Sequence, residues 1–463
     1  MQIIILGAGR VGSTLASNLS HEPIDITLID TNQDALDSLN ERLDVATVCG
    51  NAAHPNILES AGIRQADIII AATDSDETNM MACQVAHHLF NVPKKIARVR
   101  SQAYMQNQQA LFNPQAIPID SIINPEQEVV NFIKQLILHP GSQQVLSFAE
   151  GAANLVEVRI RHKNPIIGLS LKDLNNKLNG EMARIAAIYR KDSVIFPKYE
   201  TIIEEEDRLF FIAASDTIQY VLSTLFNESR PHKRIVIAGG GRVGLGLSKA
   251  LEEQLQVKII TKNPKRAHSL SEELDHTIVL LGDASDESLL LDENIEKTDV
   301  FCAVTSDDES NILCSMLAKS LGAKVVMSIV DRNAYMSMVD NGSIDNAIYP
   351  QHTTIGRILS QIRHGEAAHV HSLLRGEAEA YEAIVLGPES ESHLINKSIQ
   401  KVKLPSSVAI VGLVRNGQSI PAKGLTVIEE NDHLILFIAD KKQINVVENL
   451  FKPRKSIFKR LVG

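Results

Sequence analysis

Two short stretches of this 463-residue chain carry residue types whose spacing suits the binding of a phosphate. In the first, Gly7-Ala8-Gly9-Arg10-Val11-Gly12 follows the apolar run Gln2 to Leu6 and opens a helical stretch. At this spacing the first glycine makes the tight turn, the second lets a diphosphate approach the backbone, and the third lets the helix pack on the strand. The first helical turn then offers unpaired N–H groups and a partial positive charge to an anion. Asp30 ends the next apolar run, eighteen residues beyond Gly12. A carboxylate there accepts hydrogen bonds from ribose hydroxyls and repels a 2′-phosphate, which favours NAD (NAD+ or NADH) over NADP.

The second stretch, Gly239-Gly240-Gly241-Arg242-Val243-Gly244, keeps the turn but changes the acid. Matching VKIITKN to DITLIDTN places Thr261 where Asp30 stands, followed by Lys262 and Asn263. The charge-assisted acceptor is lost, so the two sites are expected to differ in ligand or affinity, with Lys262 permitting an extra phosphate. Arg10 and Arg242 lie inside the turns, where a guanidinium fork suits a terminal phosphate and ATP or ADP becomes a second ligand class; the alternative is a solvated arginine. Further positions at the carboxyl edge of the same sheet are Asn51, Thr73, Asp74 and Arg98 in the first stretch, and Asp283, Thr305 and Ser306 in the second. Asp76-Glu77 and Asp307-Asp308-Glu309 read as helix caps rather than as ligands of a divalent cation.

These motifs sit in a chain that contains itself twice. Gly7 matches Gly239, Val48 matches Leu280 and Ala71 matches Ala303, all at a spacing of 232 residues. IDSIINPE at Ile119 and EEEDRLFFIAAS at Glu204 match IDNAIYPQ at Ile344 and EENDHLILFIAD at Glu429 at a spacing of 225. Such a register implies two copies of a two-part unit. In the first part, strand-like runs (Gln2 to Leu6, Ile26 to Ile29, Val45 to Val48, Asp67 to Ala71, Lys95 to Val99) alternate with helical stretches, as stacked βαβ units do. In the second part, short strands such as Leu155 to Ile160, Met182 to Arg190 and Arg208 to Ala213 lie between turns and suggest a small α+β unit. The fold expected is α/β: two Rossmann-like parallel-sheet lobes, each followed by a small α+β lobe. The boundaries expected are 1–140, 141–230, 231–365 and 366–463.

Composition narrows the function. At 44% hydrophobic and 22% charged residues the chain is globular, and no apolar run approaches the ~20 residues a membrane span needs. An opening strand without a basic leader points to the cytoplasm. A net charge of -10 argues against nucleic acid as the main partner. The tail after Phe451 is a local exception: its Lys452, Arg454, Lys455, Lys459 and Arg460 suit either a solvated terminus or an anionic membrane surface. Cys49, Cys83, Cys302 and Cys314 lack metal or disulfide spacing and read as buried thiols. His364, His369 and His371 lack further ligands nearby and read as linker histidines. An NAD-dependent oxidoreductase is the rival reading, but hydride transfer also needs a substrate pocket and a placed acid or base, which the small second parts do not supply.

The strings IIILGAGRVG, SDETNMMACQVAHHLF, IARVRS and PIDSIINPE, with the acid at Asp30 and the whole repeated, resemble the TrkA-type regulatory subunits of bacterial Trk potassium uptake, built from tandem RCK (KTN) domains. The resemblance covers essentially the whole chain. It implies a non-catalytic gating ring of four tandem subunits on the cytoplasmic face of a TrkH- or TrkG-type membrane protein, responding to NAD or NADH and to ATP. It also implies that the helices after Pro125 and Pro350 cross between neighbouring lobes. Thr261 departs from the acid expected in the second copy.

Overall fold

The computed structural model describes residues 1–451 apart from 21–23, 179–182, 227–230, 340–342, 363–366, 375–376, 388–391 and 421. The first copy runs β1 (Gln2–Leu6), α1 (Arg10–Leu19), β2 (Asp25–Asp30), α2 (Gln33–Asn40), β3 (Ala46–Cys49), α3 (Pro55–Ser60), β4 (Ile68–Ala71), α4 (Asp76–Phe90), β5 (Lys94–Arg98), short α5 (Gln102–Gln106) and α6 (Gln108–Leu111), β6 (Ser121–Ile123) and α7 (Pro125–Leu138). Its small lobe adds β7 (Ser142–Phe148), β8 (Ala153–Arg159), α8 (Leu171–Lys177), β9 (Ala183–Arg190), β10 (Ser193–Ile195), β11 (Arg208–Ala214) and α9 (Ile218–Phe226). The second copy repeats this as β12 (Arg234–Ala238), α10 (Arg242–Leu251), β13 (Gln256–Thr261), α11 (Pro264–Glu273), β14 (Ile278–Leu281), α12 (Glu287–Asp292), β15 (Val300–Ala303), α13 (Asp308–Ser320), β16 (Val325–Ile329), α14 (Asn333–Val339), β17 (Asn346–Ile348) and α15 (Pro350–Ile362). The last lobe holds β18 (Ala367–Leu373), β19 (Ala378–Ile384), β20 (Val408–Arg415), β21 (Gln418–Ile420), β22 (His433–Ile438) and α16 (Ile444–Phe451).

Both large sheets are six-stranded, parallel and ordered β3-β2-β1-β4-β5-β6 and β14-β13-β12-β15-β16-β17. The order reverses direction beside β1 and beside β12, which places a crevice at the carboxyl end of each sheet. Ile3 pairs with Ile68, and Ile235 pairs with Val300 232 residues later, so the duplication holds to the residue. The central strands bury both faces (Ile3, Ile4, Ile5 and Leu6 are fully buried), as parallel strands covered by helices require. The small sheets are antiparallel. The expected α/β architecture of two Rossmann-like lobes, each followed by a small lobe, is therefore what the chain adopts.

The chain divides into two compact units. In the first, α15 covers the first sheet: Ile355, Ile358, Leu359 and Ile362 share a core with Ile3, Ile5, Leu15 and Leu19. Thr14 Oγ1 donates to Gln351 Oε1 at 3.0 Å beside them. Four such side chains contribute roughly 1.5–3 kcal/mol each, and Ile358→Asp would undo the seam. In the second unit, Val129, Val130, Ile133, Leu136 and Ile137 of α7 do the same for the second sheet, packing with Ile235, Leu247 and Leu251. Gly246 keeps α10 close to α7, since a Cβ there would meet Val130 Cγ2 at 3.1 Å. Each Rossmann sheet is thus covered by the helix that closes the other copy.

Also within the second unit, the two small sheets share one core, with Phe148, Phe210 and Ile212 against Val411, Ile435 and Phe437. Gly412 permits the close approach, because a Cβ there would overlap Ile212 Cδ1. Each small lobe carries the same clamp. Arg190 donates from Nε and Nη2 to Asp207 at 2.7 Å each, and Arg415 to Asp432 at 2.7 and 2.8 Å, with Nη2 also reaching the carbonyls of Ile202 and Val427. That clamp is what the matching EEED and EEND strings encode.

Candidate functional site

The glycines of the two turns divide into those the fold requires and those it does not. Gly7 has φ +101° and Gly239 φ +120°, which L side chains rarely adopt, and a Cβ on Gly7 would meet Ala72 O at 2.9 Å. A Cβ on Gly12 or Gly244 would overlap the carbonyl oxygen of Gly7 or Gly239, so these two let α1 and α10 settle on their strands. Gly9 and Gly241 are different. Their φ values are −67° and −70°, and a Cβ on either would have no protein atom within 4 Å. They serve as N-caps of α1 and α10 without a side-chain cap, and neither first turn holds an acid. The amides that begin each helix are therefore presented to an open approach. Arg10 and Arg242 are exposed at the first helical position, each followed by the half-buried Val11 or Val243.

On one side of the turn the two crevices differ in charge. In the first, Asp30 closes β2 and accepts from the amides of Ala8 at 2.6 Å and Asn32 at 2.8 Å, so its carboxylate is fixed beside the glycine turn. In the second, Thr261 is buried at the matching end of β13. Gly240 replaces Ala8 there because a Cβ would crowd Leu270 Cδ1 at 2.8 Å and Thr261 Oγ1 at 3.2 Å. Arg266, on α11, donates from Nε to the Gly240 carbonyl at 2.5 Å. Lys262 pairs with Asp283 at 2.8 Å. Burial opposes ionisation of Asp283, but Lys262 and the Ser285 amide and hydroxyl outweigh it and hold its pKa down to about 2. Asn51, the matching residue in the first copy, makes only a local turn to the Ala53 amide at 2.9 Å.

The other side of the turn shows the opposite bias. Thr73 and Thr305 follow β4 and β15, and each is held by a buried asparagine. Asn79 Oδ1 accepts from Thr73 N and Oγ1 at 2.9 and 2.7 Å, while its Nδ2 donates to the carbonyls of Thr73 and Arg98. Asn311 makes the same four bonds to Thr305 and the Ile329 carbonyl. These contacts match Arg98 with Ile329. Asp76 accepts from the amides of Arg100 and Ser101, and Asp308 from those of Asp331 and Arg332, which matches Arg100 with Asp331. The first crevice thus ends β5 with two arginines, and the second has an isoleucine and an aspartate in their places. Arg98 pairs with the exposed Asp74 at 3.3 Å and Arg100 reaches the Asp74 carbonyl. The Nε atoms of both are buried without a hydrogen-bond partner among the described residues, that of Arg100 facing Asp76 Oδ1 at 3.7 Å. Burial, and then repulsion from Arg100, lowers the pKa of Arg98 from its ordinary value.

Sequence reasoning named most of these positions but not Asn79, Asn311, Arg100 or Arg266. Asn79 and Asn311 lie in the strings DETN and DESN that repeat between the copies, so for these two the repeat itself was the available signal. The acids expected as caps divide their work: Ser75 and Asp307 are the N-caps of α4 and α13, while Asp76 and Asp308 tie the following loop. No cluster of three or more metal-ligating side chains occurs among the described residues. His364 lies outside the described residues, and His371 packs edge-on against Phe148. Three of the four thiols are buried and pushed up to about 12 by that burial (Cys83, Cys302, Cys314), but Cys49 is exposed, contrary to expectation. It ends β3 paired in register with Asp30, at the edge strand of the sheet.

The model of the TrkA-N domain matches residues 3–125 and 235–350, and that of the TrkA-C domain matches 155–225 and 386–452. The chain belongs to the TrkA family. The Trk system potassium uptake protein TrkA of Vibrio alginolyticus is 46% identical over 98% of this chain and 99% of that one. The protein of the same name from Halomonas elongata is 47% identical over 99% and 100%. A crystal structure of the GsuK RCK domain shares the fold, with a TM-score of 0.61 at 18% identity over 97% of this chain and 94% of that one. The GsuK channel bound to NAD gives the same score and identity over 97% and 78%. In TrkA terms, the paired turns lie in the two TrkA-N domains, and the Arg190 and Arg415 clamps lie in the two TrkA-C domains.

Proposed function

We propose that this chain is a non-catalytic regulatory subunit that binds nucleotide in its TrkA-N crevices and sets potassium uptake through a Trk-type membrane transporter. Gly9 carries the reading: backbone sterics do not require a glycine there, whereas a diphosphate lying on the α1 amides does. Gly7, Ala8, Arg10, Val11, Gly12, Asp30, Asn51, Thr73, Asp74 and Arg98 line the first site, with Arg100 added. Asp30 receives the ribose diol of NAD or NADH, and the buried donors of Arg98 and Arg100 suit the terminal phosphates of ADP or ATP. Gly239, Gly240, Gly241, Arg242, Val243, Gly244, Thr261, Asp283 and Thr305 line the second. Relatives named as potassium uptake proteins at 46% and 47% identity over nearly their full length support the transport role.

We infer as the partner a TrkH- or TrkG-type protein in the membrane, with four copies of this chain forming a ring on its cytoplasmic face, as the family resemblance implies; the relatives' names support membership of a Trk uptake system. Among the described residues no helix is long and apolar enough to cross a membrane, which fits a peripheral subunit. The basic tail lies outside the described residues. Nucleotides of different charge bias a ring only by binding its states unequally, and Arg10 is placed to sense a terminal phosphate. The test is potassium accumulation in cells lacking the gene, complemented by the wild type or by Asp30→Ala. Wild type restores accumulation and Asp30→Ala loses its response to the NADH/NAD ratio. Normal accumulation without the gene would refute the role, and substrate-dependent NADH oxidation by the purified chain would favour an oxidoreductase.

A further inference from the structure

From Asp30 onward the first copy reads Asp-Thr-Asn-Gln-Asp-Ala, and from Thr261 the second reads Thr-Lys-Asn-Pro-Lys-Arg. Two carboxylates are thus exchanged for three cations over matched positions at the same strand end. The structure brings these changes to one place. The Thr261 hydroxyl, an uncharged donor and acceptor, stands where Asp30 would repel a phosphate. Arg266 is held over the glycine turn by the Gly240 carbonyl, with Nη1 on Ser269 at 3.2 Å and Glu273 at 3.3 Å, and its Nη2 carries no hydrogen bond. Lys262 is 64% exposed, and an exposed ion pair such as Lys262–Asp283 is weak, so its ammonium can turn to a stronger anion at little cost. Lys265 is exposed in the first turn of α11, which has no acid there, whereas the first turn of α2 holds Asp34.

We propose that the second crevice takes an adenine nucleotide phosphorylated on its ribose, the chemistry of a 2′-phosphorylated nicotinamide dinucleotide, with Thr261, Lys262 and Arg266 receiving that phosphate. The proposal rests on the reading of both crevices as nucleotide sites. It accounts for the loss of the acid as a change of ligand rather than a decay of the site. It also gives Arg266 a purpose: a guanidinium with Nη2 still to donate recognises a phosphate by a charge-assisted hydrogen bond, and the unsubstituted diol does not need it.

Calorimetric titration of the full chain with 2′,5′-ADP, 3′,5′-ADP and 5′-AMP tests this. The wild type binds one 2′,5′-ADP per chain about tenfold or more tighter than 5′-AMP, the scale of one charged hydrogen-bond pair. Arg266→Gln removes that advantage, Lys262→Gln removes part of it from an exposed position, and Thr261→Asp reverses the preference. A preference for 3′,5′-ADP that Arg266→Gln abolishes supports the phosphorylated ribose and assigns the 3′ position. Equal affinity for all three ligands overturns the proposal while leaving the nucleotide reading intact. The absence of binding by all three, and by NADH, overturns both.

Discussion

The two Rossmann lobes share strand order, register and turn geometry, yet their crevices have opposite polarity. The first has an acid beside β2 and arginines at the end of β5; the second has cations after β13 and Asp331 at the end of β16. Duplication thus preserved the glycine turn and the start of the helix after it, and changed the charges on either side. Gly7, Gly12, Asn79 and their matches belong to the shared frame, because backbone conformation or loop attachment depends on them. Asp30, Arg98, Thr261 and Arg266 flank the turn at positions where the two copies have diverged.

The largest effect that would sharpen this division is on folding. Gly12→Val or Gly244→Val drives a side chain into the preceding turn and should cost more than about 4 kcal/mol, read as loss of soluble chain. Gly9→Ala and Gly241→Ala, by contrast, should lower stability by no more than about 1 kcal/mol in denaturant melts. If both pairs were equally damaging, the open approach at Gly9 would be an illusion. The small-lobe clamps come next. Arg415→Ala leaves Asp432, which is fully buried, without its partner, and Arg190→Ala does the same to Asp207. Each should cost about 2–4 kcal/mol by thermal melting, somewhat under the figure for a fully buried pair because both arginines retain some exposure. Unequal losses would show that the copies no longer share this device.

Thiol chemistry gives a smaller readout of the first crevice alone. At neutral pH one thiol per folded chain, Cys49, should react with a disulfide reagent, while Cys83, Cys302 and Cys314 stay protonated and enclosed. NADH should slow that reaction several-fold, and a Cys49→Ser chain should show no fast phase. Smallest of all is the second crevice's own ion pair. The pKa of Asp283 is lowered in the folded chain, so its contribution is present above about 3.9 and lost as pH falls toward about 2. Asp283→Asn should therefore cost under about 1 kcal/mol at pH 7 and less still near pH 2, followed by urea melts across that range.

Much of this was legible in the residues. The glycine spacing and Asp30 located the first turn, and the 232-residue repeat located the second. Strands with continuous apolar runs, such as Gln2–Leu6, needed no tertiary information. Three-residue β6 and β17 were invisible as strands, because so short a run carries no period. β7 was hidden behind the turn residues His139 to Gly141 that precede it. Which sheet α7 and α15 cover could not be read locally, since an apolar helix face records that it is buried and not against what. The polarity of the crevices was half legible. Thr261 and Lys262 were visible by alignment, but the match of Arg98 to Ile329, and the hold of Arg266 on the Gly240 carbonyl, emerge only from hydrogen bonds made in three dimensions.

The most direct measurement is calorimetric titration of NADH into the wild type, Gly9→Ala and Asp30→Ala, with melting recorded for each. Saturable binding in the wild type, lost in Gly9→Ala at near-unchanged stability and weakened about ten- to hundredfold in Asp30→Ala, is the result that follows from a diphosphate on the α1 amides. Undiminished binding in Gly9→Ala, or none in the wild type, would contradict it.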